Sequence, residues 1–248
     1  MTRRRFVLGC PVDVLNPAAF KASLPALASG DCLTDIVTLN PEQIMAARRD
    51  PEVARLIRKA QLCTVDGIGL ELALRAQGVT DVQRITGVDL VTSVVEQRIP
   101  TFLLGGAPGA AEEAGRRLTA RFPLAQIAGS WSGGTPRAKD DPQSIARIAL
   151  SGAKAVAVAY GAPAQTAWIE RNRAALEDAG IRIAIGVGGS LDFYAGYVRR
   201  APEWAQRFGL EWLFRLIAEP WRLRRQLVLP KFAVLALIEA GRGRIGHA

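Results

Sequence analysis

The sequence predicts an α/β fold, a Rossmann-like parallel sheet flanked by helices, and three observations carry that expectation. Up to about residue 195, short β-rich runs alternate with helical patterns. Several runs, KAVAVAYG and IRIAIGVGG among them, are apolar without clean alternation, as in a parallel sheet covered on both faces. Polar residues and glycines fall at the carboxyl ends of these runs, where open parallel sheets bind ligands.

Taken in order, MTRRRFVLGCPVDVL reads as a first strand. Its arginines imitate the start of a signal peptide, but the apolar stretch is too short and Pro11 and Asp13 interrupt it. DIVTLN (35–40) is a strand, and PEQIMAARRDPEVARLIRKA a helix restarting at Pro51 with Asp50 as cap. LCTV (62–65) is a strand, and GLELALRAQG a helix that Gly78 ends. A helix through VDLVTSVVEQR, the strand TFLLGG and a helix beginning near Pro108 follow. AQIAGSW, KAVAVAYG and IRIAIGVGG are further strands, with DPQSIARIALSG and AQTAWIERNRAALEDAG as intervening helices. After Gly196 strand alternation stops and Arg, Trp and Leu dominate. The expected division is therefore a catalytic sheet domain over 1–195 and a basic helical appendage over 196–248.

Composition narrows the function classes. The 248 residues are 49% hydrophobic, enough for a substantial core, yet no stretch approaches the roughly 20 apolar residues of a membrane span. Cys10, Cys32 and Cys63 are irregularly spaced, which argues against a disulfide framework or zinc site and fits a reducing cytosol. The net charge is +9, and from residue 199 onward ten basic residues face four acidic ones. Such a block implies an anionic partner: nucleic acid, lipid headgroups or a phosphorylated ligand. Trp204, Trp212 and Trp221 are interleaved with the arginines, and LVLPKFAVLALI follows almost without charge. That combination suits a helix lying in a membrane interface, with intramolecular packing or oligomer burial as the alternative.

The candidate site residues sit at strand ends. They are Thr38 and Asn40 after the second strand, Asp66 after LCTV, and Gly105, Gly106 and Gly109 after TFLL. Gly161 and Gln165 follow KAVAVAY, and Gly188, Gly189 and Asp192 follow IRIAIGV. GGAPG has the make-up of a phosphate cradle, since glycines admit a pyrophosphate to the backbone. It lacks G-x-G-x-x-G and the Walker lysine, so a plain strand–helix turn is the competing reading. Asp66 has two readings as well: the N-cap of the helix starting near Gly67, or a general base at a pocket rim. Asp89 reads as a helix cap, and Asp13, just past the first strand, as either. The single histidine is His247, beside the end of the chain, which disfavours His-based triads and His-rich metal sites. No D-x-D triplet occurs, so a departing nucleoside diphosphate would need arginines or backbone amides to hold its charge.

Several segments together resemble the WecG/TagA/CpsF family of glycosyltransferases, from near the N-terminus to about residue 225. They are VTLNPEQ, TVDG, RITGVDL (84–90), FLLGGAPGAAEEAGRRL (102–118), YGAPAQTAWI (160–169), GVGGSLDFYAGYVRRAP (186–202) and GLEWLFRLIAEPWRLRRQ (209–226). The resemblance implies inverting transfer of a sugar from a UDP-sugar donor to a polyprenyl-diphosphate-linked sugar acceptor, without metal or cofactor. It implies a peripheral enzyme on the cytoplasmic face of the bacterial inner membrane, working in surface-polysaccharide synthesis. N-acetylmannosamine, its uronic acid and glucose are all donors among such enzymes, and self-association is compatible with membership. It further implies that Asp66 is the base and that Thr38, Asn40, Arg84 and Gln165 line the pocket. Arg215, Arg222 and Arg225 belong to a segment expected to close over the site and touch an anionic membrane surface. Thr166 stands where the family often has an acidic residue. Two rivals remain at this point: a Rossmann-type oxidoreductase using GGAPG or GVGG, and a basic nucleic-acid-binding module. The first lacks the full dinucleotide fingerprint, and the apolar run after the arginines favours lipid over nucleic acid.

Overall fold

A computed structural model of the chain describes residues 3–199, 201–202, 205, 211–218 and 223–245. The N-terminal run is a hairpin rather than one strand: β1 (Arg3–Val7) pairs antiparallel with β2 (Cys10–Val14). Leu8 and Gly9 turn the chain with φ of 50° and 80°, the two left-handed positions of a tight hairpin. Asp13 consequently lies inside β2, not beyond a strand. Only 2% exposed, it accepts two hydrogen bonds from Arg4 and one from the Cys63 backbone N–H, all at 2.8 Å. Its role is to fasten the hairpin to the sheet.

That sheet has six strands, β3 (Thr34–Leu39), β4 (Leu62–Val65), β5 (Thr101–Gly105), β6 (Ile127–Trp131), β7 (Ala155–Ala159) and β8 (Ile183–Gly186). Their spatial order is β4-β3-β8-β7-β5-β6, and all the pairs are parallel. The strands alternate by size where they do not alternate by polarity. In β7, Ala155, Ala157 and Ala159 join one core cluster while Val156 and Val158 join another, because successive side chains leave opposite faces of the sheet.

One face is covered by α1 (Pro17–Ala28), α5 (Gly87–Glu96), α6 (Ala110–Arg121) and α10 (Ser190–Tyr194). The other carries two groups. The hairpin, α2 (Pro41–Ala47), α3 (Pro51–Lys59) and α4 (Ile68–Ala76) pack over β3 and β4. Beside them α7 (Asp141–Ser151), α8 (Ala164–Arg171) and α9 (Arg173–Asp178) pack over β5, β7 and β8. Asp50 caps α3 as the sequence predicts, accepting from the Glu52 and Val53 amides. The helix predicted to begin near Pro108 starts at Ala110. The single helix predicted through 164–180 is divided at Asn172, whose side-chain amide and backbone N–H both donate to the Trp168 carbonyl, at 2.9 and 3.1 Å. Burial pushes the Cys10 and Cys63 thiols above their usual range, so both remain protonated core groups.

Beyond Gly196 the described elements are α11 (Glu211–Ala218), α12 (Leu223–Gln226) and α13 (Val228–Ile245). α13 lies against α2 and α4, with Phe232, Ala236 and Ala240 buried. The Glu239 carboxylate accepts from the Leu8 amide at 3.0 and 2.9 Å and from the Gln77 side chain at 3.1 Å. Its opposite side exposes Val234, Leu237 and Ile238, continuing Leu223 and Leu227. No described helix is long and apolar enough to cross a membrane.

Candidate active site

The carboxyl ends of the strands bring most of the predicted residues to one edge. Read along the sheet, they are Asp66 (β4), Asn40 (β3), Gly188 (β8), Gly161 (β7) and Gly105–Gly106 (β5). Asp66 and Gly106 are four inter-strand spacings apart, roughly 19 Å. Three of the glycines face open space: a Cβ on Gly67, Gly161 or Gly188 would meet nothing within 4 Å. A crevice along this edge is where a doubly wound sheet offers its ligand site.

Asp66 is half-buried at the end of the edge strand, its amide donating to the Leu39 carbonyl at 2.8 Å. The cap position of α4 belongs to Gly67, at φ 90°, and no side chain caps that helix. Arg84 comes to the same end because the next residue, Ile85, donates its amide to the Val65 carbonyl at 2.9 Å. Its guanidinium pairs with Glu71 on α4 at 3.1 Å, and Arg75 shares that carboxylate. Asn40 caps α2 in a reciprocal box: its side chain accepts from the Gln43 amide while the Gln43 side chain accepts from its own amide, both at 3.0 Å. Asp89 is likewise half of a capping box with Thr86, as predicted.

Thr38 and Gln165 hold the edge from beneath. Both are buried, Gln165 to 1% exposure. The Thr38 hydroxyl donates to the Gly186 carbonyl, and the Gln165 carbonyl accepts from the Gly188 amide, each at 2.9 Å. The Gln165 amide lies against Gly186, where any Cβ would stand 2.7 Å from it. These two side chains tie β3, β8 and α8 at the point where the open glycines begin.

The GGAPG loop is closed on itself. Gly106 donates to the Ala159 carbonyl at 3.1 Å, Ala107 to the Asp192 carboxylate at 2.7 Å, and Gly109 to the Ser132 hydroxyl at 2.8 Å. A Cβ on Gly105 would sit 2.9 Å from the Tyr160 ring, and one on Gly106 3.2 Å from the Asp192 carboxylate. Asp192 thus joins α10 to the loop, and the loop amides reach protein groups first. Arg215 and Arg225 lie on α11 and α12, their side chains outside what is described, and Arg222 lies outside the described residues. Among the described residues no three His, Cys, Asp or Glu side chains gather as a metal-binding set.

One feature has no sequence signal. A cavity of about 330 Å³ opens beside Asn40, Ala162 and Pro163 and runs between α2, α3 and α8, with Val228 at its rim. Its walls are Met45, Ala46, Val53, Leu56 and Ile57, which at helical spacing read simply as core.

The fold is a parallel α/β sheet with Asp66 and the open glycines gathered at its carboxyl edge, the place where such sheets bind ligands. The chain belongs to the glycosyl transferase WecG/TagA/CpsF family, whose model matches residues 5–245. The match runs past residue 225, where the motif resemblance stops, and takes in α13. The protein is a glycosyltransferase of cell-envelope polysaccharide synthesis.

Proposed function

We propose that this glycosyltransferase moves a sugar from a UDP-sugar to a polyprenyl-diphosphate-linked sugar with inversion, and that Asp66 is the base. The observation that carries the reading is local: Gly67, not Asp66, occupies the cap position of α4, and the space over Gly67 is open. A carboxylate at that point stands beside open space at the carboxyl edge of the sheet, where in-line chemistry would take place. It takes the proton of the attacking acceptor hydroxyl as the new glycosidic bond forms and the bond to the β-phosphate breaks. Arg84, held at the same strand end by Glu71, brings positive charge beside it.

Charge on the departing UDP needs a partner. Because Gly106, Ala107, Gly109 and Gly188 already donate within the protein, the diphosphate relies on the open backbone at Gly161 and the arginines of the C-terminal segment, Arg215, Arg222 and Arg225. Closure of that segment would also exclude water and limit donor hydrolysis. On this reading the enzyme works peripherally on the cytoplasmic face of the inner membrane, and the exposure of Leu227, Leu237 and Ile238 supports their meeting lipid. N-acetylmannosamine, its uronic acid and glucose are the donors to try first, and a metal-independent reaction accords with the absence of D-x-D.

The test is UDP release across a panel of UDP-sugars with a synthetic prenyl-diphosphate-linked sugar, with and without EDTA, for wild type and Asp66→Asn. Acceptor-dependent release that survives EDTA and collapses in the variant supports the reading. Equal release from the two proteins removes Asp66 as base, and loss with EDTA removes metal independence. No release with any donor would sink the substrate assignment.

A further inference from the structure

We infer that the cavity between α2, α3 and α8 receives the first units of the acceptor's hydrocarbon chain. This rests on the proposed lipid-linked acceptor and assigns that acceptor a binding site. The position comes first. The cavity's lining includes Asn40 and Ala162–Pro163, which follow the carboxyl ends of β3 and β7. Asn40 directly follows Leu39, whose carbonyl receives the Asp66 amide. A molecule seated there shares an edge with the proposed base.

The lining then selects the occupant. Met45, Ala46, Val53, Leu56, Ile57, Pro163 and Val228 present carbon. Of the polar residues, Asn40 and Gln43 satisfy one another in the capping box, and Thr166 adds one hydroxyl from α8. Glu42 lies in the first turn of α2 and Arg49 beyond its last, so the charges stand at the two ends of the helix. Against the wall formed by Met45, Ala46, Val53, Leu56 and Ile57, a sugar or a nucleobase would leave hydrogen-bonding groups unmet, at about 1–3 kcal/mol for each buried group. A hydrocarbon chain loses nothing there and gains about 25 cal/mol per Å² removed from water.

The cavity also leads outward. Val228 at its rim begins α13, and the preceding Leu227 and Leu223 are exposed, which continues the apolar surface toward Val234, Leu237 and Ile238. These exposed residues offer a chain anchored at the catalytic edge an apolar route toward the bilayer. At about 330 Å³ the cavity lies at the small end of ordinary ligand clefts, so it accepts only the initial units of a long prenyl chain.

The experiment is photolabelling of the full-length protein with a diazirine-bearing farnesyl diphosphate, followed by peptide mapping. No sugar donor is present, so the result is independent of whether UDP-sugars are the donors. Labels are expected within 45–57 or 162–166, competed by unlabelled farnesyl diphosphate at least tenfold better than by inorganic diphosphate. Ala46→Phe, which fills the cavity, should lower that labelling at least fivefold. The wild-type map decides the matter if the variant melts early. Labels confined to 223–245, equal competition by inorganic diphosphate, undiminished labelling of a folded Ala46→Phe, or no labelling at all would each overturn the assignment. If labelling succeeds while acceptor-dependent UDP release fails, the cavity stands and the donor assignment falls.

Discussion

An aspartate before a glycine at a strand end has two uses for its carboxylate, and the backbone of Gly67 separates them. With Gly67 in the cap position, Asp66 carries no cap duty toward α4. Asp66→Asn is therefore expected to lower turnover by about 10²- to 10⁴-fold, with donor KM nearly constant and the melting temperature within about 2 °C of wild type. Steady-state kinetics and a thermal melt check both halves. Asp13 gives the opposite expectation. Its carboxylate is buried on the Arg4 guanidinium and the Cys63 amide, so Asp13→Ala leaves a buried N–H without a partner. Denaturant unfolding should show a loss of about 1–3 kcal/mol.

At the scale of elements, the walls of the cavity are held by ion pairs. Glu170 on α8 meets Lys59 at the end of α3 at 2.7 Å and Arg173 at the start of α9 at 3.4 Å. Burial would raise the Glu170 carboxyl, but the hydrogen bonds from Lys59 and Arg173 outweigh it and hold the group below its usual range. A carboxyl lowered in the folded state stabilises the protein above its ordinary pKa of about 4.3, and that contribution is lost as pH falls through the lowered value. Glu170→Gln should thus melt below wild type at pH 7, by no more than about 1 kcal/mol for a pair this exposed. The difference should shrink as pH drops below about 4. Melts of both proteins across that range test the sign. The break between α8 and α9 belongs to this scale too. Asn172 stands between the two helices with side chain and backbone both donating to the Trp168 carbonyl, a local arrangement that apolar periodicity does not register.

For the molecule as a whole, the C-terminal helix has two faces with separate duties. Phe232 is 2% exposed among the residues covering β3 and β4, whereas Leu237 is 64% exposed. Phe232→Ala is expected to cost about 3–5 kcal/mol as a core deletion. Leu237→Glu should leave the melting temperature unchanged and reduce co-sedimentation with anionic vesicles about tenfold or more, since an inserted leucine contributes roughly 1.5–3 kcal/mol. Vesicle binding insensitive to Leu237→Glu would remove this face from the membrane. A deletion after residue 196 would confound the two effects, because it strips Phe232 and Glu239 from the core and the hairpin along with the apolar outer face.

Periodicity, turn residues and caps determined the parallel α/β architecture and the order of its strands and helices along the chain. Those signals are local, and they survive because a strand covered on two faces or a helix with Asp50 at its cap needs no distant partner to be recognised. They also brought Asp66, Asn40, Gly105 and Gly188 to strand ends, since every strand of a parallel sheet ends at the same edge. Only the tertiary structure decided what each group there touches. Gln165 and Thr38 lie beneath the edge because β8 inserts beside β3, about 150 residues away in sequence. The GGAPG amides are engaged because Ala159, Asp192 and Ser132 reach them from other elements. Val228 lines a cavity begun by α2, and Glu239 accepts from the Leu8 amide in the hairpin turn. Each of these contacts joins residues far apart in the chain, and long-range partnership leaves no mark on the spacing of either member.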